Sequence, residues 1–454
     1  MRKGGSQVRR LLVGIIAIAA LILNSLMVQA AEYDFGGRTV RFVFHDATKE
    51  GLWGDPLGTV HFEQIEKEFN VKVEVVAMHY DDGSIINDLQ QGLLAGTADG
   101  VYAVKLVDAY QYAKEGFFCP LTHCDIAPSI IDQFVDPELL KFQGEQYFFN
   151  TGATVIDLVR GRRAGFPGEA LVWNKTKFEA YGLPNLYELV EKGEWTWETF
   201  KQIAIEATRD LDGDGVTDVW GYAPYAYPWG FPEAHNWLAT NGANVTTVDE
   251  NGRVVFALDS PAALEALNFY QELHQLGVAY TKEPGYQAIS NDKVLMAFCP
   301  MWTLFILENH SDELGLVPLP RGPRMDKHVF PAVSGETYVF AIPATTKENP
   351  EALVALTRAL HYDSPEYIDF DSVPKLIEDA WAMSVRDYES LRCIVDWPYN
   401  IAYVTHESPA FISTNFFYTW NEYNQRILKG ESPASVVASF KDAAQAQLDS
   451  IFLQ

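Results

Sequence analysis

The chain has 454 residues, and at roughly 150 residues per domain this length leads to two or three domains with more than one buried core. Hydrophobic residues make up 48% and charged residues 21%, without a long polar tract, which excludes a disordered or collagen-like chain. Lys and Arg number 34 against 61 Asp and Glu, a formal charge of −27; such a surface repels phosphate backbones and anionic lipid, so no nucleic-acid partner is expected. The 11 Trp, 22 Tyr and 27 Phe are more than packing alone asks for and suit faces that stack on a ligand.

Residues 1–30 read as an export signal. Arg2, Lys3, Arg9 and Arg10 precede the apolar run Leu11 to Leu23, and Val28-Gln29-Ala30 places small residues where a peptidase cuts, so cleavage is expected before Ala31. An uncleaved anchor is the alternative; the run is shorter than the ~20 residues of a span, and Asn24 and Ser25 interrupt it. No Cys lies near this site to carry a lipid, so the expected location is periplasmic or extracellular. Removing the segment leaves 30 basic against 61 acidic side chains, a net of −31. In an oxidising compartment Cys119, Cys124, Cys299 and Cys393 allow three pairings. A local Cys119–Cys124 bridge is expected first, and four buried thiols is the reading left open beside it. His123 between them suggests a metal, but no second ligand pair at zinc spacing follows.

Arg38 to Phe44 and Val71 to Ala77 alternate and are rich in β-formers, and Phe62, Ile65 and Phe69 recur between them at helical spacing. Val101 to Val104 and the amphipathic Ala109 to Gly116 continue the order, which predicts a parallel α/β lobe. Ser260-Pro261 opens a helix over Ala262 to Leu276 with Gly277 behind it, and Asn349-Pro350-Glu351 opens another. Thr337 to Ile342 is a short strand between such helices. With no repeat, low-complexity segment or linker rich in Pro, Gly or Ser, the pattern fits a two-lobed α/β body.

Asp210, Asp212, Asp214 and Asp218 fall at positions 1, 3, 5 and 9 of an EF-hand-like loop, with Gly215 at the sharp-turn position 6 and the Val216 carbonyl at position 7. Position 12 is Gly221, so the bidentate Glu is missing. Structural calcium is the expected cofactor, and a solvated turn is the alternative.

Several segments in order resemble the sugar-type extracellular solute-binding proteins of bacterial ABC importers, the maltose-binding-protein-like family. Leu171 to Pro184, Trp195-Thr-Trp-Glu-Thr-Phe200, Asp210 to Asp218 and Gly221 resemble its central signature, followed by Asn241-Gly-Ala-Asn244, Ser260-Pro261, Asn291 to Met296 with Trp302, Val317-Pro-Leu-Pro320 with Gly322-Pro323, and Leu428 to Glu431. The resemblance implies a type II periplasmic-binding-protein-like fold: two α/β lobes, with a hinge and a ligand cleft between them. Residues 31–150 plus about 336–375 would form one lobe and 151–335 plus about 376–454 the other. It also implies a monomer that captures a carbohydrate and delivers it to the permease subunits of an ABC importer, which read a ligand-closed state.

A sugar needs aromatic plates and hydrogen-bonding carboxylates. The resemblance makes Asp46 and Trp53 cleft-facing after the first strand, with burial in a core as the alternative for Trp53, and Lys105 and Asp108 cleft-facing after Val101 to Val104. Trp229, in the irregular run Tyr225 to Pro232, and Trp302, after a break at Cys299-Pro300, match aromatic positions facing the ligand, with burial in a core as the alternative for each. Glu336 stands where relatives often carry a small residue and is expected to mark specificity, or to sit solvated on the rim. Trp173 is expected to pack beside a crossing strand, with ligand binding as the alternative. A glycoside hydrolase would need two carboxylates at a set separation, and no motif singles out such a pair. Gly-x-Ser-x-Gly, His-Glu-x-x-His and phosphate-loop patterns are absent too, so the chain is expected not to be an enzyme. No Tyr-Tyr dipeptide supports a ferric ligand, and a sensor docking on a signalling receptor remains open beside the importer.

Overall fold

The computed structural model describes residues 33–45, 58–80, 82–122, 124, 140–149, 169–225, 233–300, 307, 310–332, 338–361, 402–405 and 415–453. In chain order the elements are β1 (Arg38–His45), α1 (Gly58–Glu68), β2 (Val71–Met78), α2 (Ser84–Ala95), β3 (Val101–Lys105), α3 (Leu106–Lys114), β4 (Lys141–Phe142), β5 (Glu145–Gln146) and β6 (Phe148–Phe149). There follow β7 (Glu169–Asn174), α4 (Lys175–Tyr181), α5 (Leu186–Glu191), α6 (Trp197–Ala207), β8 (Trp220–Ala223), α7 (Glu233–Thr240), β9 (Thr246–Val248), β10 (Val254–Phe256), α8 (Pro261–Gln275), α9 (Gly285–Ser290), β11 (Val294–Pro300), β12 (Leu314–Val317) and β13 (Val329–Ala332). The last are β14 (Tyr338–Ala341), α10 (Pro350–His361), β15 (Ala402–Thr405), α11 (Asn415–Leu428) and α12 (Pro433–Phe452). They divide into two compact units, Met1–Gly165 with Tyr338–Ala380, and Phe166–Thr337 with Trp381–Gln454. Among the described residues no helix is long and apolar enough to cross a membrane.

The first unit is built on a five-stranded sheet in the order β2-β1-β3-β14-β6. β1 pairs in parallel with β2 and with β3, while β14 runs antiparallel to β3 with Tyr338 opposite Lys105. β2 alternates buried Val71 and Val73 with exposed Lys72 and Glu74, as an outer strand of a sheet does, and the central β3 is buried at every residue. Its core joins Phe42, Phe44, Phe69, Phe149 and Phe340 to Leu353 and Leu356 of α10, with Phe44 edge-on to Phe340 at 5.6 Å between centroids. Gly100 turns into β3 at φ +87°, and a Cβ there would stand 2.1 Å from the Arg41 carbonyl, so both conformation and space require glycine.

Cys119 and Cys124 in this unit are free thiols, and the local bridge expected from their spacing is not formed; Cys299 is also a free thiol, and Cys393 lies outside the described residues. Backbone pairing holds the segment instead: Cys119 N–H donates to the Ile342 carbonyl at 2.9 Å and Leu121 N–H to Gln146 at 2.6 Å. Both sulfurs pack against the hydrophobic core as small apolar groups. Burial, with a lesser contribution from Cys124, pushes the Cys119 pKa up to about 11, so the reactive thiolate is scarce.

The second unit has a four-stranded sheet ordered β12-β7-β11-β8, with β7 antiparallel to β12 and β11, and β8 parallel to β11. β7 is buried throughout and α7 is buried at all eight residues. The expected helix after Ser260-Pro261 is α8: the Ser260 side chain accepts from Ala263 N–H and Gly277 follows at φ +70°. Trp197 stacks on Phe269 at 4.5 Å and donates through Nε1 to Thr240 Oγ1, while Trp195 Nε1 donates to the Pro318 carbonyl at 2.7 Å. Trp173 is 2% exposed and meets Phe178 and Tyr187 edge-on, which is the packing role expected of it. Cys299 and Pro300 do not break the chain, because β11 runs through both and pairs Pro300 with Glu169.

Glu233 opens α7 with its carboxylate 5% exposed and three donors on it: Tyr222 OH and Trp237 Nε1 reach Oε1 at 2.5 and 3.0 Å, and His274 Nε2 reaches Oε2 at 2.7 Å. Burial alone would lower the His274 pKa, but the Glu233 charge and hydrogen bond outweigh it and hold the imidazole above its ordinary 6.5. A raised folded-state pKa gives stability that is fully present below about 6.5 and is lost as pH rises through the folded value. Calorimetry across pH 6 to 9 should therefore show the melting temperature falling on the alkaline side, and His274→Gln should flatten that fall.

Candidate functional site

In a parallel sheet the strands are hydrogen-bonded along their length and covered by helices, so side chains reach solute from the loops beyond their carboxyl ends. In the first unit β2 ends two residues before Tyr80, and β3 ends at Lys105 with α3 starting at the next residue. Asp108 falls in the first turn of α3, where the helix dipole favours a carboxylate. The structure brings these three residues together. Tyr80, 5% exposed, donates its hydroxyl to Asp108 Oδ2 at 2.9 Å, and Lys105 Nζ lies 5.6 Å from the centroid of the Tyr80 ring, within cation–π range. Burial first, then the charge and hydrogen bond of Asp108, push the Tyr80 pKa well above 10, so the hydroxyl stays protonated and donates.

Of the expected ligand contacts, Lys105 and Asp108 thus share one cluster, whereas Asp46, Trp53, Trp229, Trp302 and Glu336 lie outside the described residues. Tyr80 was not expected from the sequence. The signal available was its position just past a predicted strand on the edge that Lys105 and Asp108 share.

A second polar cluster in the other unit was also not expected. Glu169 at the start of β7 lies at the edge where β11 ends, and Asn236 of α7 donates Nδ2 to Glu169 Oε2 at 2.6 Å. Both are nearly fully buried, and Asn236 Oδ1 has no partner among the described residues.

The acidic loop is closed at its neck by paired backbone bonds between Arg209 and Val219, 2.8 and 3.1 Å long. Oxygens of Asp210, Asp212 and Asp218 all lie within 4.8 Å of one another; Asp214 is not in that group, and its Oδ1 accepts from Val216 N–H at 2.7 Å. Asp210 accepts from Gly213 and Gly215 N–H at 2.7 and 2.8 Å, and these bonds hold its pKa below the usual 3.8. Gly221 has a packing reason: a Cβ there would stand 2.2 Å from the Ala204 carbonyl of α6, so position 12 of the loop has no room for a carboxylate. An oxygen-only set of three converging carboxylates fits a hard cation of calcium type better than a soft one.

The described residues thus form two α/β units, each with a polar cluster at a sheet edge. Residues 61–357 match the bacterial extracellular solute-binding protein family, and the chain belongs to that family. Among solved structures it is similar to the cyclic α-maltosyl-1,6-maltose binding protein from Arthrobacter globiformis, at 15% identity and a TM-score of 0.62 over 91% of this chain and 99% of that one. UspC of M. tuberculosis matches at 15% identity and a TM-score of 0.60, over 90% of this chain and 100% of the other. An ABC substrate-binding protein from Listeria monocytogenes in complex with cycloalternan matches at 14% identity and 0.59, over 91% and 98%. At these identities the likeness is one of fold, that of the two-lobed periplasmic binding proteins. A search among curated proteins gives no match.

Proposed function

We propose that this chain is an exported binding protein that captures a carbohydrate, an oligosaccharide or sugar derivative, and delivers it to the membrane subunits of an ABC importer, as a monomer and without catalysis. The observation that carries this reading is the family match over residues 61–357. Structural neighbours whose bound sugars are cycloalternan and mannotriose support the ligand class. The Tyr80–Lys105–Asp108 cluster supports it chemically, since a carboxylate at the sheet edge accepts from sugar hydroxyls. In this reading Asp46, Trp53, Trp229, Trp302 and Glu336 complete the contacts.

The same reading includes calcium at the acidic loop, held by Asp210, Asp212 and Asp218 with the Val216 carbonyl, Asp214 and water to complete a shell of about six to eight oxygens. Export through residues 1–30 places the mature chain in the periplasm or outside the cell.

Differential scanning fluorimetry with maltose, maltotriose, mannotriose and cycloalternan should find a sugar that raises the melting temperature in proportion to the logarithm of its concentration. Sustained release of reducing ends from the bound glycoside would assign a hydrolase in place of a binder. Chelation with EDTA should lower the melting temperature and Asp212→Ala should abolish that sensitivity; a melting curve indifferent to both chelator and added calcium rules the ion out. Intact mass of protein recovered from an exporting host should correspond to a chain starting at Ala31, and a full-length chain retained with membranes would contradict export as a released protein.

A further inference from the structure

We infer that Tyr80 is a positioning residue for solute specificity: its hydroxyl fixes Asp108 so that this carboxylate accepts hydrogen bonds from the hydroxyls of a neutral sugar. The inference rests on the sugar-binding reading and adds a residue and a role to it. Tyr80 is far from Asp108 in the chain, yet it is seated at the same sheet edge because β1 lies between β2 and β3 in the sheet and all three run parallel.

The hydroxyl takes one acceptor position on Asp108 Oδ2, and a carboxylate carries about four. Tyr80 is itself buried, with the Lys105 ammonium over its ring. A buried ring so held has little rotamer freedom, and an acceptor fixed to it meets the solute without being ordered at that moment. A carboxylate only accepts, so this position discriminates for a hydroxyl. Asp108 itself is half-buried, unlike Tyr80 and Lys105, which leaves it the member of the cluster open to solute.

The test is a double-mutant cycle on binding, using whichever of maltose, maltotriose, mannotriose and cycloalternan binds the wild type, with Kd from calorimetry. Tyr80→Phe should weaken binding about tenfold, the size of one charge-assisted hydrogen bond. Asp108→Asn should weaken it by at least as much, and the double variant should be no weaker than Asp108→Asn alone. A general structural role would lower the melting temperature and weaken binding in both backgrounds alike, so additive losses, or an unchanged Kd for Tyr80→Phe, overturn the inference. Should the Phe variant fail to fold, tyrosine Cζ NMR decides: the Tyr80 resonance should move on adding the sugar in the wild type and stay fixed in Asp108→Asn, and a wild-type resonance indifferent to a bound sugar overturns the role. If none of the four sugars binds the wild type, the sugar reading fails and this inference with it; if one binds and the cycle is additive, only the inference fails.

Discussion

β3 and β7 are buried along their whole lengths, and a strand covered on both faces has no side chain to spare for solute until it ends. The placement of the polar clusters in this chain follows from that constraint. The polar residues that would be costly in the middle of either sheet are gathered at its edge: Tyr80, Lys105 and Asp108 in one unit, Glu169 and Asn236 in the other. Each is paired or packed so that the edge is polar without being loose.

The second unit shows how the cost of such burial is met. Glu233 is nearly as buried as its apolar neighbours, and it is tolerated because Tyr222, Trp237 and His274 all donate to it. Its partners come from β8, α7 and α8, so one carboxylate ties the helix that follows β8 to the long helix behind it. The aromatic residues around it, Phe200, Trp237, Phe269 and Phe298, contact one another at 5 to 6 Å in mostly tilted or edge-on pairs. The abundance of aromatics in the sequence therefore serves packing in large part, with Trp195 and Trp197 among them.

Local features were legible in the sequence because their causes are local. The β-former runs of β1 and β2, the Ser260-Pro261 start and Gly277 stop of α8, and the position of β14 are written in adjacent residues; the alternation expected of β1 is not kept, because Phe42, Val43 and Phe44 are all buried in a strand flanked on both sides. Lys105 and Asp108 were reachable as strand-end residues, through likeness to a family and the helix that begins between them. Tyr80 was not, because its partner comes from a different crossover, and sequence spacing carries no information about which strands become neighbours. The cysteines mislead for the same reason: a separation of five residues allows a bridge, but the backbone bonds to Ile342 and Gln146 that fix the segment come from distant parts of the chain. In the acidic loop the residue types were legible and the convergence was only partly so, since Asp214 turns to cap Val216 while the other three meet.

The free thiols carry a consequence for how this chain reaches its native state. Cys119 is shielded by the same burial that raises its pKa, and Cys299 is fully buried in β11. That shielding does not exist before the sheets close, when each thiol has the ordinary acidity and access of an unfolded chain. In oxidising surroundings the yield of the reduced native protein is then a race between strand pairing and thiol oxidation, with β11 and the 119–124 segment as the stretches whose timely burial decides the winner.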